Sequence, residues 1–141
     1  MPSFARVFTG APWEPHIGYC RALRAGQLIF VTGTAPVDEH GGIFAPGDAY
    51  RQAARCLEII DGALRKLGAR RENIVRTRQF VADIRRWADF GRAHREFFAN
   101  HPPCTTMIEV QRMIDPAILI EIEADAVCDE TADPASVDEG T

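Results

Sequence analysis

From Ile120 to Ala126 the chain alternates without a break. Ile120, Ile122, Ala124 and Ala126 are apolar, and the residues between them, Glu121, Glu123 and Asp125, are all acids. Successive side chains of a strand point to opposite faces of its sheet. Residues 119–127 therefore read as a strand with one oily face and one acidic face. Such a strand belongs in a sheet that is packed on one side, with the other side able to tolerate carboxylates.

What would cover the oily side is written upstream. Over residues 48–67, Ala53, Leu57, Ile60, Leu64 and Leu67 recur at steps of four, three, four and three, which is one face of a helix. Asp48 suits its N-cap and Gly68 its C-terminal stop. A second helix is expected over 83–98, where Trp87, Phe90, His94 and Phe97 form an aromatic stripe of the kind that usually packs into a core. Asn100-His101-Pro102-Pro103 ends it.

The remaining strands are short. Residues 19–24 and 28–32 are separated by the turn signal Ala25-Gly26-Gln27, and 38–42 is a turn that could close another hairpin. Residues 74–81 are β-branched but carry Arg76 and Arg78, so one face of that strand must meet solvent or carboxylates. Residues 105–110 place Thr106, Ile108 and Val110 on one face and Thr105, Met107 and Glu109 on the other. Residues 1–18, rich in Pro, Gly and aromatics, read as an ordered arm. The order β-β-(β)-α-β-α-β-β predicts an α+β domain over 1–128, a mixed sheet with two helices on one face. Its other face, expected to present Tyr19, Phe30, Met107 and several carboxylates, is suited to burial against another subunit.

Composition narrows the function. With 46% apolar and 26% charged residues in 141, the chain should fold as one domain. The net charge is −4, but Asp129, Glu130, Asp133, Asp138 and Glu139 account for −5, leaving residues 1–128 at +1. No basic domain is available to hold a phosphate backbone, and residues 129–141 read as an acidic, disordered tail. Nothing resembles a signal peptide or a membrane span, so the cytoplasm is the expected compartment. Cys20, Cys56, Cys104 and Cys128 lie far apart, without a C-x-x-C pair, and read as reduced thiols. His16, His40, His94 and His101 show no ligand spacing. Neither a metal nor a cofactor is expected.

Among the polar residues, Glu109, Glu121 and Glu123 are the most informative. Glu121 and Glu123 share a strand face about 7 Å apart. Two acids held that close and shielded from water would not both ionise easily, which would suit one of them to proton transfer or water positioning. The alternative is that they pair with Arg76, Arg78 or Arg112 across the sheet.

Several stretches, in register over residues 17–128, resemble the YjgF/RidA family. They are Gly18-Tyr19, Val31-Thr32-Gly33-Thr34-Ala35-Pro36, Gly68-Ala69 before Ile74-Val75-Arg76-Thr77, and Phe80-Val81-Ala82-Asp83. The closing pair is Pro103-Cys104-Thr105-Thr106-Met107-Ile108-Glu109-Val110 and Leu119-Ile120-Glu121-Ile122-Glu123-Ala124. The resemblance implies a chorismate-mutase-like domain that forms a homotrimer around a central barrel of sheets, with a small-molecule pocket at each subunit interface. It implies hydrolysis of reactive enamines and imines, such as 2-aminoacrylate, with an arginine clamping the substrate carboxylate and a glutamate positioning water.

By that resemblance Glu121 is the water-positioning glutamate, Tyr19 the pocket tyrosine, and Thr32 with Gly33 the pair whose backbone lines the pocket. Cys104, Thr106, Met107 and Trp87 join the ligand-contacting set. Thr105 stands where the family has its arginine, and Gly91 where the second helix has an asparagine. A threonine cannot form the bidentate bond that holds a carboxylate, so a standard 2-aminoacrylate deaminase is not expected. Arg92 and Arg112 are the candidate substitutes, and Cys104, without a histidine partner in the sequence, is a poor nucleophile. Three functions compete: hydrolysis of an imine, enamine or related carbonyl compound through Glu121; ligand binding without turnover; and cleavage of RNA, the family's other label, which the charge distribution disfavours.

Overall fold

The computed structural model describes residues 3–129. The tail over 130–141 lies outside the described residues. Six strands form one sheet: β1 (Ala5–Val7), β2 (Ala22–Ala25), β3 (Leu28–Thr34), β4 (Ile74–Val81), β5 (Cys104–Glu109) and β6 (Ile120–Val127), in the order β1-β2-β3-β6-β4-β5. Every neighbouring pair is antiparallel except β4 and β5, which are parallel. A parallel pair needs a crossover, and α3 (Trp87–Phe98) supplies it. The other long helix, α2 (Ala49–Lys66), joins β3 to β4, and a one-turn helix, α1 (Trp13–Ile17), precedes β2. The architecture is the expected α+β mixed sheet.

The core lies between the sheet and the two long helices. Ala53, Leu57, Ile60, Leu64 and Leu67 are buried, as their spacing requires, against Ile29 and Val31 of β3 and Ile120, Ile122, Ala124 and Ala126 of β6. Each fully buried leucine or isoleucine contributes about 1.5–3 kcal/mol through removal of its surface from water. Asp48 caps α2 by accepting the amide of Arg51 at 3.0 Å, and Gly68, at φ +80°, turns the chain out of it. The turn over 38–42 is closed by a single antiparallel bridge between Val37 and Ile43.

Four expectations need correction. Asp83 caps a single 3₁₀ turn, Ile84–Arg86, and α3 begins only at Trp87. Phe90 and His94 are buried while Trp87 is 63% exposed, so the aromatic stripe is not wholly core. Met107 does not face the open side of the sheet. It sits beside Gln79 in the β4–β5 register, on the helix-covered face, and packs against the core. The N-terminal arm contains a strand the sequence did not signal, β1, which pairs with β2 through Ala5–Val7.

The open face carries the acids of β6 between β3 and β4. Phe30 (47% exposed), Leu28 and Ile108 are exposed on the same side. No helix among the described residues is long and apolar enough to cross a membrane.

Candidate functional site

The three acids of β6 have different surroundings. The Nη1 of Arg78 on β4 donates to Glu123 Oε1 at 3.2 Å and to Asp125 Oδ2 at 3.1 Å. For Glu123 and Asp125 the cross-sheet pairing is thus what the face is for. Glu121, one step further along β6 beside Phe80, receives no hydrogen bond among the described residues. Burial raises its pKa above the ordinary carboxylate value; the nearby Arg21 guanidinium opposes that rise and Glu123 adds to it. A carboxyl whose proton is held more tightly than usual, with free lone pairs, is fit to exchange a proton with a bound molecule.

The backbone beside it is irregular. Opposite Glu121, β3 breaks register between Val31 and Thr34, and Gly33 sits in that irregularity. A Cβ on Gly33 would lie in ordinary contact with Glu121 Oε1, at 3.4 Å, so this stretch of β3 runs directly beside the carboxylate. Arg21, only 7% exposed, braces the same bulge. Its Nη1 donates to Gly33 O at 2.8 Å and to Thr34 Oγ1 at 3.3 Å. Its guanidinium lies 5.5 Å from the Tyr19 ring and 3.8 Å from buried Glu14, which is in turn held by the Thr9 amide at 3.1 Å. Thr32 donates its hydroxyl to Cys20 O at 2.8 Å. Tyr19 and Thr32 line an open recess of about 760 Å³ whose other walls include Phe8, Pro15, Leu23 and Phe30.

A second recess, of about 530 Å³, lies between the β5 edge and α3, and it contains Thr105, Met107, Trp87 and Gly91. Below it runs a chain of buried polar groups. His94 Nε2 and Thr77 Oγ1 are 2.8 Å apart, Thr77 Oγ1 donates to Thr105 Oγ1 at 2.7 Å, and Gln79 Nε2 donates to the same oxygen at 3.1 Å. Burial lowers the His94 pKa to about 4, so its ring is neutral at physiological pH.

The structure therefore sorts the expected site residues into groups that one chain does not join. Glu121, Tyr19, Thr32 and Gly33 gather around β3 and β6. Thr105, Met107, Trp87 and Gly91 gather at the far edge of the sheet, on its helix-covered side. Cys104 and Thr106 point with Arg76 and Arg78 to the open face and are outside the second recess. Neither candidate substitute arginine reaches it: Arg92 stacks on Tyr50 at 3.7 Å from the ring centre and Arg112 is exposed in the following loop, whereas Arg95 stands at the rim.

Sequence reasoning passed over Arg21, Glu14, Thr77, Gln79 and His94 as site residues. The alternation of β4 could have flagged two of them, since Thr77 and Gln79 occupy the same inward phase as Val81. Arg21 carried a weaker signal, an arginine beside the pocket tyrosine. No group of three or more His, Cys, Asp or Glu side chains among the described residues is placed to hold a metal ion.

Comparison with known proteins gives the same fold. A family model described as Endoribonuclease L-PSP matches residues 9–128. The structure of Rv2704 from Mycobacterium tuberculosis, described as a member of the YjgF/YER057c/UK114 family, superposes with a TM-score of 0.80 at 38% identity, covering 89% of this chain and 99% of that one. A RutC family protein of Pyrococcus abyssi is 31% identical over 84% of this chain and 92% of its own length. TdcF of E. coli, solved with bound serine, superposes with a TM-score of 0.73 at 25% identity, covering 88% of this chain and 94% of that one. On the match of family model and relatives across the folded part of the sequence, the chain belongs to the YjgF/RidA family.

Proposed function

We propose that the protein hydrolyses a small, neutral imine or related C=N compound at a pocket shared between copies of the chain. The observation that carries this reading is Glu121: half-buried, its proton held above the ordinary carboxylate range by burial, without a hydrogen-bond partner among the described residues, and beside the irregular stretch of β3 at Gly33. Its ionised form takes a proton from water as the water oxygen bonds to the imine carbon. The same carboxyl returns that proton to the nitrogen, giving the carbinolamine R₂C(OH)NH₂, then takes the hydroxyl proton and passes it to the amine as the C–N bond breaks, so that R₂C=NH and H₂O leave as R₂C=O and NH₃.

The separation of the two residue groups and the apolar side chains left on the open face, Leu28, Phe30 and Ile108, support sharing between copies. We read the assembly as the homotrimer of the family and the single folded unit as residues 1–128. Thr105 carries no charge, so a carboxylate substrate loses about 1.5–3 kcal/mol of charge-assisted hydrogen bonding. A second reading, ligand binding without turnover, is favoured by that same Thr105, whose hydroxyl is engaged by Thr77 and Gln79. RNA cleavage finds no support in a chain of net charge −4.

Ammonia release tests the reading. 2-Iminobutyrate should turn over slowly in the wild type, and Glu121→Ala should abolish that release. Thr105→Arg should raise it about 10- to 100-fold, the rate equivalent of the missing bond. Turnover that survives Glu121→Ala removes Glu121 from the chemistry. Absence of turnover with every imine, in wild type and Thr105→Arg alike, selects the binding-only reading.

A further inference from the structure

We propose that the recess between β5 and α3 recognises a neutral amide edge, a C=O and an N–H side by side, through Thr105 and Gln79; the inference builds on the pocket reading above and gives that pocket its ligand class. The protons in the buried chain can be assigned one by one. Thr77 has a single hydroxyl proton, and it goes to Thr105 Oγ1 at 2.7 Å. His94 must then donate to Thr77 from Nε2, across 2.8 Å, which a neutral ring protonated at Nε2 does. Thr105 Oγ1 thus accepts two hydrogen bonds, from Thr77 and from Gln79 Nε2 at 3.1 Å. Its own proton is left to donate, and Thr105 is exposed at the recess.

Beside that donor is an acceptor with nothing to accept. Gln79 is 2% exposed and lines the recess, and its Oε1 is buried without a hydrogen-bond partner. A buried acceptor left unpaired is costly, and in a folded protein it calls for an explanation. A ligand N–H supplies one. The recess therefore has an exposed O–H donor beside an unpaired C=O acceptor buried in its wall, each already polarised by the chain behind it.

The complement of that pair is a primary amide or a cyclic amide, whose C=O and N–H lie on one edge. A trans secondary amide puts the two groups on opposite sides and fits only one of them. A carboxylate satisfies the Thr105 donor but turns a second lone-pair oxygen toward Gln79 Oε1. The rest of the ligand would lie against Trp87, Phe98 and Met107. The positive charge nearest by is Arg95 at the rim, which pairs with no carboxylate among the described residues, and it is the group a carboxylate ligand would have to use.

Calorimetry with benzamide and benzoate, equal in shape and different only in this edge, tests the proposal on the full chain. Benzamide should bind at least ten-fold more tightly than benzoate. Thr105→Val, at an exposed position, and Gln79→Leu should each weaken benzamide at least ten-fold, whereas benzoate, which uses only the Thr105 donor, should weaken in Thr105→Val and not in Gln79→Leu. Nitrogen-15 shifts should also find His94 protonated at Nε2. Equal binding, absence of binding by both, or tighter benzoate binding that disappears in Arg95→Ala would overturn the proposal. Because benzamide is not turned over, its failure to bind while imines are still hydrolysed sinks the amide site alone. Benzamide binding without imine turnover sinks the hydrolase reading alone.

Discussion

Two residues with displaced proton affinities set the pH behaviour of the molecule. His94 is buried neutral, with a folded pKa of about 4 against an ordinary value of 6.5. A lowered folded pKa means that the stability is present above pH 6.5 and is lost as pH falls toward 4. The loss attributable to this one ring is up to about 3 kcal/mol. Urea melts of wild type and His94→Gln at pH 7 and pH 5 should show the wild type losing more stability than the variant; equal losses would mean that the ring is hydrated. Glu121 has the opposite sign. Its folded pKa is raised above 4.5, so its ionisation costs stability once pH exceeds the ordinary carboxylate range. Glu121→Gln should melt higher than wild type at pH 7, with the gap closing below pH 4. A variant that melts lower at pH 7 would mean that the carboxylate is held by a bond the fold depends on. This excess stability in a binding-site variant is what a site kept for chemistry rather than for packing should show.

At the scale of elements, α2 is the best test of how far local rules carry. Removing its cap by Asp48→Ala should cost about 1 kcal/mol, because the Arg51 amide loses its acceptor. Leu57→Ala, at the centre of the same helix's buried face, should cost about 2–5 kcal/mol through the cavity it leaves. Denaturant midpoints with unchanged slope would confirm both; a larger loss at the cap than at the core would contradict the packing described here. That helix was legible because its apolar steps and its two ends agree. The strands β4 and β6 were legible because Arg78 and the acids alternate with buried residues. The start of α3 was not legible, since a 3₁₀ turn after Asp83 carries the same residue types as a helix start. The face of Met107 was missed for a different reason. Alternation fixes which residues share a face but not which of the two faces meets the helices, and only the register Gln79–Met107 decides that. Gln79 itself, a buried amide in an otherwise ordinary strand, is visible as a site residue only when its unpaired oxygen is seen.

The whole molecule poses the remaining question, because among the described residues the expected site residues are divided between two places rather than joined in one site. Glu121 and Tyr19 lie toward one side of the sheet and Thr105 and Trp87 at its far edge, and the sequence could bring them together only through the family resemblance. The open face that separates them exposes Phe30 and Ile108 around the ion pairs of Arg78. A surface of that kind is suited to burial against its own copies. Association would cover the apolar groups and could bring the Glu121 half of one copy beside the Thr105 half of the next. Sedimentation equilibrium of the wild type at micromolar concentration is the most direct test of that shared site. It should return three times the chain's 15.6 kDa. A single-chain mass across the whole concentration range would contradict it, leaving Glu121 unconnected to the Thr105 recess.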